Sequence, residues 1–403
     1  MRPSTRWYLS FLLCLVVLSP VHTLAQANPP SEVPFPFLPG LENAVGFWKR
    51  IFTEYSLSQL VFFDPLDMSK IYEVLDVGEE SRTQKYIDGE RARIAAANGV
   101  NQDRVKAQRG IKERFAAGLT RSGRYMAMIQ QIFQQRGLPV DLGYLPLVES
   151  SFDINARSFV GAMGMWQFMR VTGKEFRLRI DRAVDERKDP LESTRAAAAL
   201  LGQNYQALGN WPLALTAYNY GAAGIARAVA EVGSDNLVEL IHKYNHRYWG
   251  FAPKNFYAEF LAAVDIAKNF DQHFPGLEFH PPSPIQEVEL KNRSSLAAVL
   301  NTTGLSQAQF FQWTPALSAQ TKFVPAGYRV KVPADGKAET IVEVQHRQPA
   351  QQLNVVHHRV KPGETIAHIA RRYGASVQKI LQVNRIRRPH LVRVGTTLLI
   401  PRT

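Results

Sequence analysis

A proline cluster two thirds of the way along the chain divides it into two regions that cannot fold alike. The run from His273-Phe274-Pro275-Gly276 to His280-Pro281-Pro282-Ser283-Pro284 holds four prolines, which have no amide donor for helix or sheet, so it reads as a linker. Before it, residues 42 to about 137 have a mainly helical pattern, and Lys106 to Arg136 sets charged and apolar residues at helical spacing. Ser193 to Leu208, rich in Ala and Leu, predicts a buried helix. After the linker come two short segments of one plan. The expected fold class is a mainly α domain followed by small α+β (β-α-α-β) modules. Its segments are a Pro-rich extended stretch and accessory helical region (28–137), a helical domain (138–274), a first unit (284–333), a joining stretch (334–353) and a second unit (354–403).

The second unit is the clearer of the two. Val356 to Ile366 reads as a strand, a turn at Pro362-Gly363-Glu364-Thr365 and a helix start. Ile366, Ile369, Ala370 and Tyr373 form one helical face, ended by Gly374; Ile380, Leu381 and Asn384 continue on a second helix. Gly395 to Pro401 closes as a strand. In the first unit Leu296 to Gly304 repeats the spacing of Ile366 to Gly374, and Gly327 to Pro333 parallels the closing strand. Its turn has Lys291-Asn292-Arg293-Ser294-Ser295 in place of Gly-Glu-Thr, so the unit is degenerate.

Within the helical region a single carboxylate stands in an apolar frame: Leu145-Pro146-Leu147-Val148-Glu149-Ser150-Ser151-Phe152. Desolvation disfavours the charged form, so the pKa of Glu149 is expected to rise, and a carboxyl that keeps its proton near neutral pH can act as a general acid. A glutamate at a helix end can also simply cap, pair with Arg or face water. A second segment, Gly161-Ala162-Met163-Gly164-Met165-Trp166-Gln167-Phe168, leads small residues into a bulky apolar group holding one amide. It reads either as a tight turn into a core or as a backbone-and-amide surface for a sugar. A third, Trp211 to Gly221, sets Tyr218-Asn219-Tyr220 before a glycine. These residues are core aromatics with a helix C-cap, or hydrogen-bond partners of substrate and Glu149.

The blocks Glu149-Ser150, Gly164-Met165-Trp166-Gln167 and Ala217-Tyr218-Asn219, in that order, resemble the lytic transglycosylases with a goose-lysozyme-like catalytic domain. The Trp-Gln-Phe form is most similar to their membrane-bound murein D branch. Arg170 departs from the family, which usually has Pro there. The strong resemblance covers residues 125 to 275, and the second C-terminal unit resembles a LysM domain over its full length. It implies a lysozyme-like helical fold followed by LysM-type modules. It also implies Glu149 as sole acid/base, with Ser150, Gln167, Tyr218 and Asn219 at the substrate, and it suggests Tyr257 as a late tyrosine touching the glutamate. For the LysM unit it implies glycan binding at Gly363, Glu364 and Thr365 and around Arg388 and Pro389, although Gly363 and Thr365 can equally serve as turn and cap.

Most glycosidases use two carboxylates flanking the bond. Asp153 lies one helical turn after Glu149, on the same face rather than across a sugar, and reads as a turn or cap residue. Asp185 and Asp189, before a helix expected near Pro190, read as caps. The resemblance supplies the one-carboxylate alternative: cleavage of the MurNAc–GlcNAc bond with ring closure to a 1,6-anhydro end, without metal or cofactor. The rivals are a goose-type lysozyme-like hydrolase and a non-catalytic wall-binding protein.

The N-terminus fits a secretory signal: Arg2 and Arg6, an apolar run from Trp7 to about Leu18, then small residues that favour cleavage after Ala27, or alternatively after Ala25. That run is short for a membrane span, so none is expected after cleavage. Cys14, the one cysteine, lies inside the run, which argues against lipidation and leaves the mature chain without disulfides. The net charge of +13 falls to +11 once Arg2 and Arg6 leave. A basic surface suits an anionic polymer, and secretion favours peptidoglycan strands over nucleic acid. The expected compartment is the periplasm or cell envelope.

Overall fold

A computed structural model of the chain describes residues 33–78, 83–334, 355–384, 386 and 394–401. The signal, residues 1–27, and all of the joining stretch except Ala334 lie outside the described residues.

The first helix, α1 (Glu42–Thr53), buries Val45, Phe47, Trp48, Ile51 and Phe52. A three-stranded antiparallel sheet follows, set among the helices that make 42–137 mainly helical as expected. Its strands β1 (Gln59–Asp64), β2 (Asp67–Asp76) and β3 (Lys106–Arg109) lie in the order β2-β1-β3. The central strand has period two but is apolar on both faces. Val61 and Phe63 enter the main core, while Leu60 and Phe62 enter a smaller one with Ile94, Ala95 and Val105 beneath α2 (Gln84–Ala97). A strand buried on both faces reads as a continuous apolar run, so alternation gives no signal. The stretch Lys106 to Arg136 contains β3 and then two helices, α3 (Lys112–Ser122) and α4 (Met126–Gln135).

The helical region continues with α5 (Leu145–Glu149), α6 (Arg170–Glu175), α7 (Pro190–Leu208), α8 (Trp211–Tyr220), α9 (Ala222–Val232), α10 (Leu237–Lys243), α11 (Phe251–Lys268) and α12 (Phe270–His273). Helix α7 starts where its local signals say. Asp189 accepts from the amides of Leu191 and Glu192, Pro190 occupies the first turn, and Gly209 closes the helix with φ +79°. A common core unites these helices with α1 and β1: Phe52 stacks on Phe115 at 4.7 Å, within a cluster that also holds Leu147, Trp166, Leu215 and Phe260.

Both C-terminal units have the expected strand-helix-helix-strand order. In the first, β4 (Ile285–Glu289) pairs antiparallel with β7 (Arg329–Pro333), and between them lie β5 (Ser294–Ser295), α13 (Leu296–Thr303), α14 (Gln307–Trp313) and β6 (Phe323–Val324). In the second, β8 (Val355–Arg359) pairs with β9 (Thr397–Pro401) around helices Ile366–Arg372 and Val377–Val383. Asn384 joins its second helix to the closing strand, donating to Leu399 O and accepting from Leu399 N.

The first unit is docked on the helical region. Val184 packs into the unit's core beside Leu317 and Val330, and the amide of Asp185 donates to Ala316 O at 2.8 Å. The Pro-rich linker is pinned as well: the amide of His280 donates to Thr120 O and that of Ser283 to Arg124 O.

Candidate active site

Glu149 is the last residue of α5, a five-residue helix opened by Pro146. The chain then turns sharply. Ser151 and Phe152 take φ values of +53° and +59°, a left-handed pair that is costly without glycine. Three contacts hold that turn. The Phe152 side chain is fully buried, the Arg121 guanidinium donates to Ser151 O at 2.6 and 3.0 Å, and α3 approaches closely because it carries Gly118 there. A Cβ at Gly118 would come within 2.9 Å of the Ser151 Cβ.

The second motif block wraps onto this turn. Ser150 Oγ donates to Met165 O at 2.8 Å. Gly164 has φ +80°, and a Cβ there would lie 1.8 Å from Arg187 O, so no other residue fits without moving the backbone. Gln167 is itself left-handed at φ +49°, and its amide donates to Gly164 O and Ala156 O. The expected substrate amide is therefore also the brace of its own loop. The buried Arg187 guanidinium bridges Asp185, Gly161 O and Phe168 O. The third block arrives on α8, which Asn210 caps and Gly221 ends. Tyr218 donates to Trp166 O at 2.7 Å, while Asn219 is exposed at the helix end.

Glu149 stays half-buried in this frame, and its carboxyl is pushed up to about 8, first by desolvation and then by the nearby Glu259. Glu259, on α11, is likewise raised to about 8 by burial. Tyr218 is raised well above its ordinary value by burial and by Glu149. A carboxyl of this kind holds its proton at neutral pH and can give it to a leaving oxygen.

Two expected residues are used otherwise. Tyr257 is buried and donates to Pro36 O at 2.9 Å, so it ties α11 to the N-terminal segment and does not spend its hydroxyl on Glu149. Two residues further along α11, Glu259 comes into range of Glu149 instead. Glu364 accepts from Lys361 N, His358 Nε2 and Arg372 Nη1, so both its oxygens are held inside the LysM-type unit. Gly363 (φ +80°) makes the turn, and Thr365 caps the next helix by accepting from His368 N. Arg388 and Pro389 lie outside the described residues. The three aspartates are structural: Asp153 accepts from Asn155 N, Asp185 pairs with Arg187, and Asp189 caps α7. Arg170 opens α6 and donates to Ile180 O.

Comparison with known proteins matches residues 127–241 to the transglycosylase SLT domain and residues 358–401 to the LysM domain. Membrane-bound lytic murein transglycosylase D of Escherichia coli, in strains K12 and O6:H1, is 28% identical over 292 residues. That alignment covers 68% of this chain and 63% of the relative, so this chain spans less than two thirds of the relative's length. A solved structure, the 70 kDa soluble lytic transglycosylase of Escherichia coli, overlaps 38% of this chain and 25% of its own, at 19% identity and a TM-score of 0.32. The matched SLT block contains Glu149, Ser150, Gln167, Tyr218 and Asn219; Glu259 lies beyond it. This chain carries a transglycosylase SLT domain and, C-terminal to it, a LysM domain.

Proposed function

We propose that the chain is a secreted peptidoglycan lytic transglycosylase that cleaves the β-1,4 bond between N-acetylmuramic acid and N-acetylglucosamine without water. The observation that carries this reading is Glu149: a half-buried carboxyl raised to about 8, at the start of a braced and strained turn. Protonated Glu149 gives its proton to the glycosidic oxygen as the bond to muramic C1 breaks. The acetamido oxygen of the same sugar stabilises the positive charge at C1. Glu149, now a carboxylate, takes the proton of the C6 hydroxyl, and O6 bonds to C1. The 1,6-anhydro ring closes and Glu149 regains its starting state. Asn219 contacts the sugar at the cleft edge, and Ser150, Gln167 and Tyr218 shape the wall. The LysM unit raises the local concentration of the enzyme on glycan. The compartment is the periplasm or cell envelope; among the described residues no helix is long and apolar enough to cross a membrane.

Glu259 gives the hydrolase reading its one foothold, as a second carboxyl beside Glu149. A retaining or inverting partner must be ionised while the acid is protonated. Burial instead raises both, which works against that division of labour. Mass spectrometry of products from purified peptidoglycan decides the matter. Anhydro-muramic ends are expected; reducing ends formed with uptake of water would make the chain a hydrolase, and wall binding without cleavage would make it a binding protein.

Glu259 should contribute to the alkaline limit of activity. A like charge raises the pKa of Glu149, so Glu259→Gln should lower it, and the alkaline limb of the pH profile of kcat/KM should move to lower pH. Desolvation, the larger cause, remains, so the limb stays above the ordinary carboxylate range. An unmoved limb would mean that the two carboxyls do not interact.

A further inference from the structure

We propose that the hairpin tip beside the second motif block docks on the surface of an anionic phospholipid bilayer. Four of the thirteen large apolar side chains exposed among the described residues fall between positions 159 and 171: Phe159, Val160, Met169 and Val171. Single exposed apolar residues are ordinary, whereas a cluster marks a contact surface. The backbone brings the four together. Arg157 and Phe168 both bridge antiparallel to Met163, so the chain runs as a small meander whose first turn is Ser158-Phe159-Val160-Gly161. Arg187 Nη1 donates to Gly161 O at 3.0 Å and to Phe168 O at 3.2 Å, which sets that turn beside Met169 and the start of α6.

The shape fits a lipid surface better than a sugar. Phe159 is 106% exposed, as open as in an unfolded chain, so its ring stands out from the turn with no wall behind it. Small ligands are held in concave sites that pair polar groups with apolar ones. Val160, Met169 and Val171 offer a sugar hydroxyl nothing to bond, but all four side chains gain by entering hydrocarbon. The turn can follow them, because much of its hydrogen bonding is already internal. Ser158 N donates to Ala162 O, Gly161 N to Ser158 O and Ala162 N to Ser158 Oγ, while Gly161 O is held by Arg187. Groups paired in this way enter a low-dielectric layer without the cost of an unmade hydrogen bond.

The surrounding charge selects an anionic surface. From 157 to 177 the chain carries Arg157, Arg170, Lys174 and Arg177 against one acid, Glu175. All five are exposed, and among the described residues none of the four cations forms an ion pair. The next carboxylates along the chain, Asp181 and Asp185, are spent on Arg179 and Arg187. Cations that flank an apolar tip draw it to anionic headgroups. The tip is joined to the loop that Gln167 braces, so docking brings the motif block close to the bilayer. This contact lies on the membrane and needs no spanning helix.

The test uses the full mature chain, residues 28–403, so that the N-terminal apolar run contributes nothing. Sedimentation is measured with vesicles of phosphatidylethanolamine and phosphatidylglycerol, and with vesicles of phosphatidylcholine alone. The wild type is expected to sediment with the first and far less with the second, and added salt should release it. Phe159→Ser/Val160→Ser should lower partition into the anionic vesicles by about tenfold or more, the scale of losing two inserted apolar side chains. Its cleavage of soluble glycan fragments should be unchanged. Insertion itself is read at one site. Cys14, the one cysteine of the chain, lies before residue 28, so Phe159→Cys supplies a single thiol for a polarity-sensitive fluorophore. Its emission should shift to the blue on the anionic vesicles and be quenched by brominated lipid. Sedimentation without quenching means that another face meets the bilayer, and overturns the proposal. So does equal partition of the serine variant, or no sedimentation of the wild type. Lost cleavage of soluble glycan by the serine variant, with unaltered partition, would make the tip a sugar platform and overturns it as well.

Discussion

Glu149→Gln should fold, bind peptidoglycan and cleave it more slowly than the wild type by on the order of a thousandfold or more, because in the proposed reaction one group serves as acid in the first step and base in the second. The same variant should be more stable. The carboxyl is raised to about 8 in the folded protein, so the native state keeps a proton that the unfolded chain releases above the ordinary carboxylate range. Stability must then fall as pH rises toward 8, since the native state binds more protons. Glutamine has no proton to lose. The melting temperature of the variant should match the wild type near pH 4 and exceed it by a growing margin up to about pH 8, each kcal/mol appearing as roughly 2–4 °C in a domain of this size. A flat difference across that range would show that Glu149 is well solvated, and retained cleavage would remove it from the mechanism. The expected pairing of lost activity with gained stability is the mark of a group held in an unfavourable state for its chemistry.

What could be read from the sequence was local. Asp189-Pro190 announces a helix start, Gly209 and Gly221 announce ends, and the apolar frame of Glu149 announces a raised pKa within eight residues. The residues that complete the site come from afar. Arg121 braces Ser151 from α3, Arg187 knits the Gly161–Phe168 loop from the other side of α6, and Glu259 approaches from α11, more than a hundred residues away. None has a local signature, since an Arg or Glu on a helix is ordinarily a solvated one. Tyr257 suggests itself as a partner because it is aromatic and late in the domain, but helix phase brings Glu259 within electrostatic reach of Glu149 and turns Tyr257 to Pro36. The hairpin of β1 and β2 is hidden for a different reason, its central strand being apolar on both faces. The two C-terminal units can be recognised as related, yet the consequence of their divergence cannot. In the first, charged residues of the closing strand meet α7 instead of solvent, and sequence spacing says nothing about which surface a module will cover.

That contact carries the second large effect. Lys331 is 1% exposed, with Nζ 2.8 Å from Asp189 Oδ2, 3.4 Å from Glu192 Oε1 and 3.7 Å from Glu287 Oε1. Arg195 also binds Glu192 and Glu287, and Arg329 binds Glu192, but Asp189 is equally buried and its Oδ2 has Lys331 alone among the described residues. Lys331→Met keeps the volume and the apolar stem while leaving that carboxylate charged and unpaired. Breaking a buried pair from one side costs about 3–5 kcal/mol. The loss should appear as a lower melting temperature and as early proteolysis between residues 275 and 334, with the SLT helices still folded. Adding Asp189→Asn should recover most of it, because asparagine still caps α7 while removing the stranded charge. A double variant no more stable than Lys331→Met would show that packing of Lys331, and not its charge, holds the unit in place. Rescue by Asp189→Asn assigns the docking to this one ion pair. The first C-terminal unit then owes its place on the helical region to a lysine buried against the cap of α7.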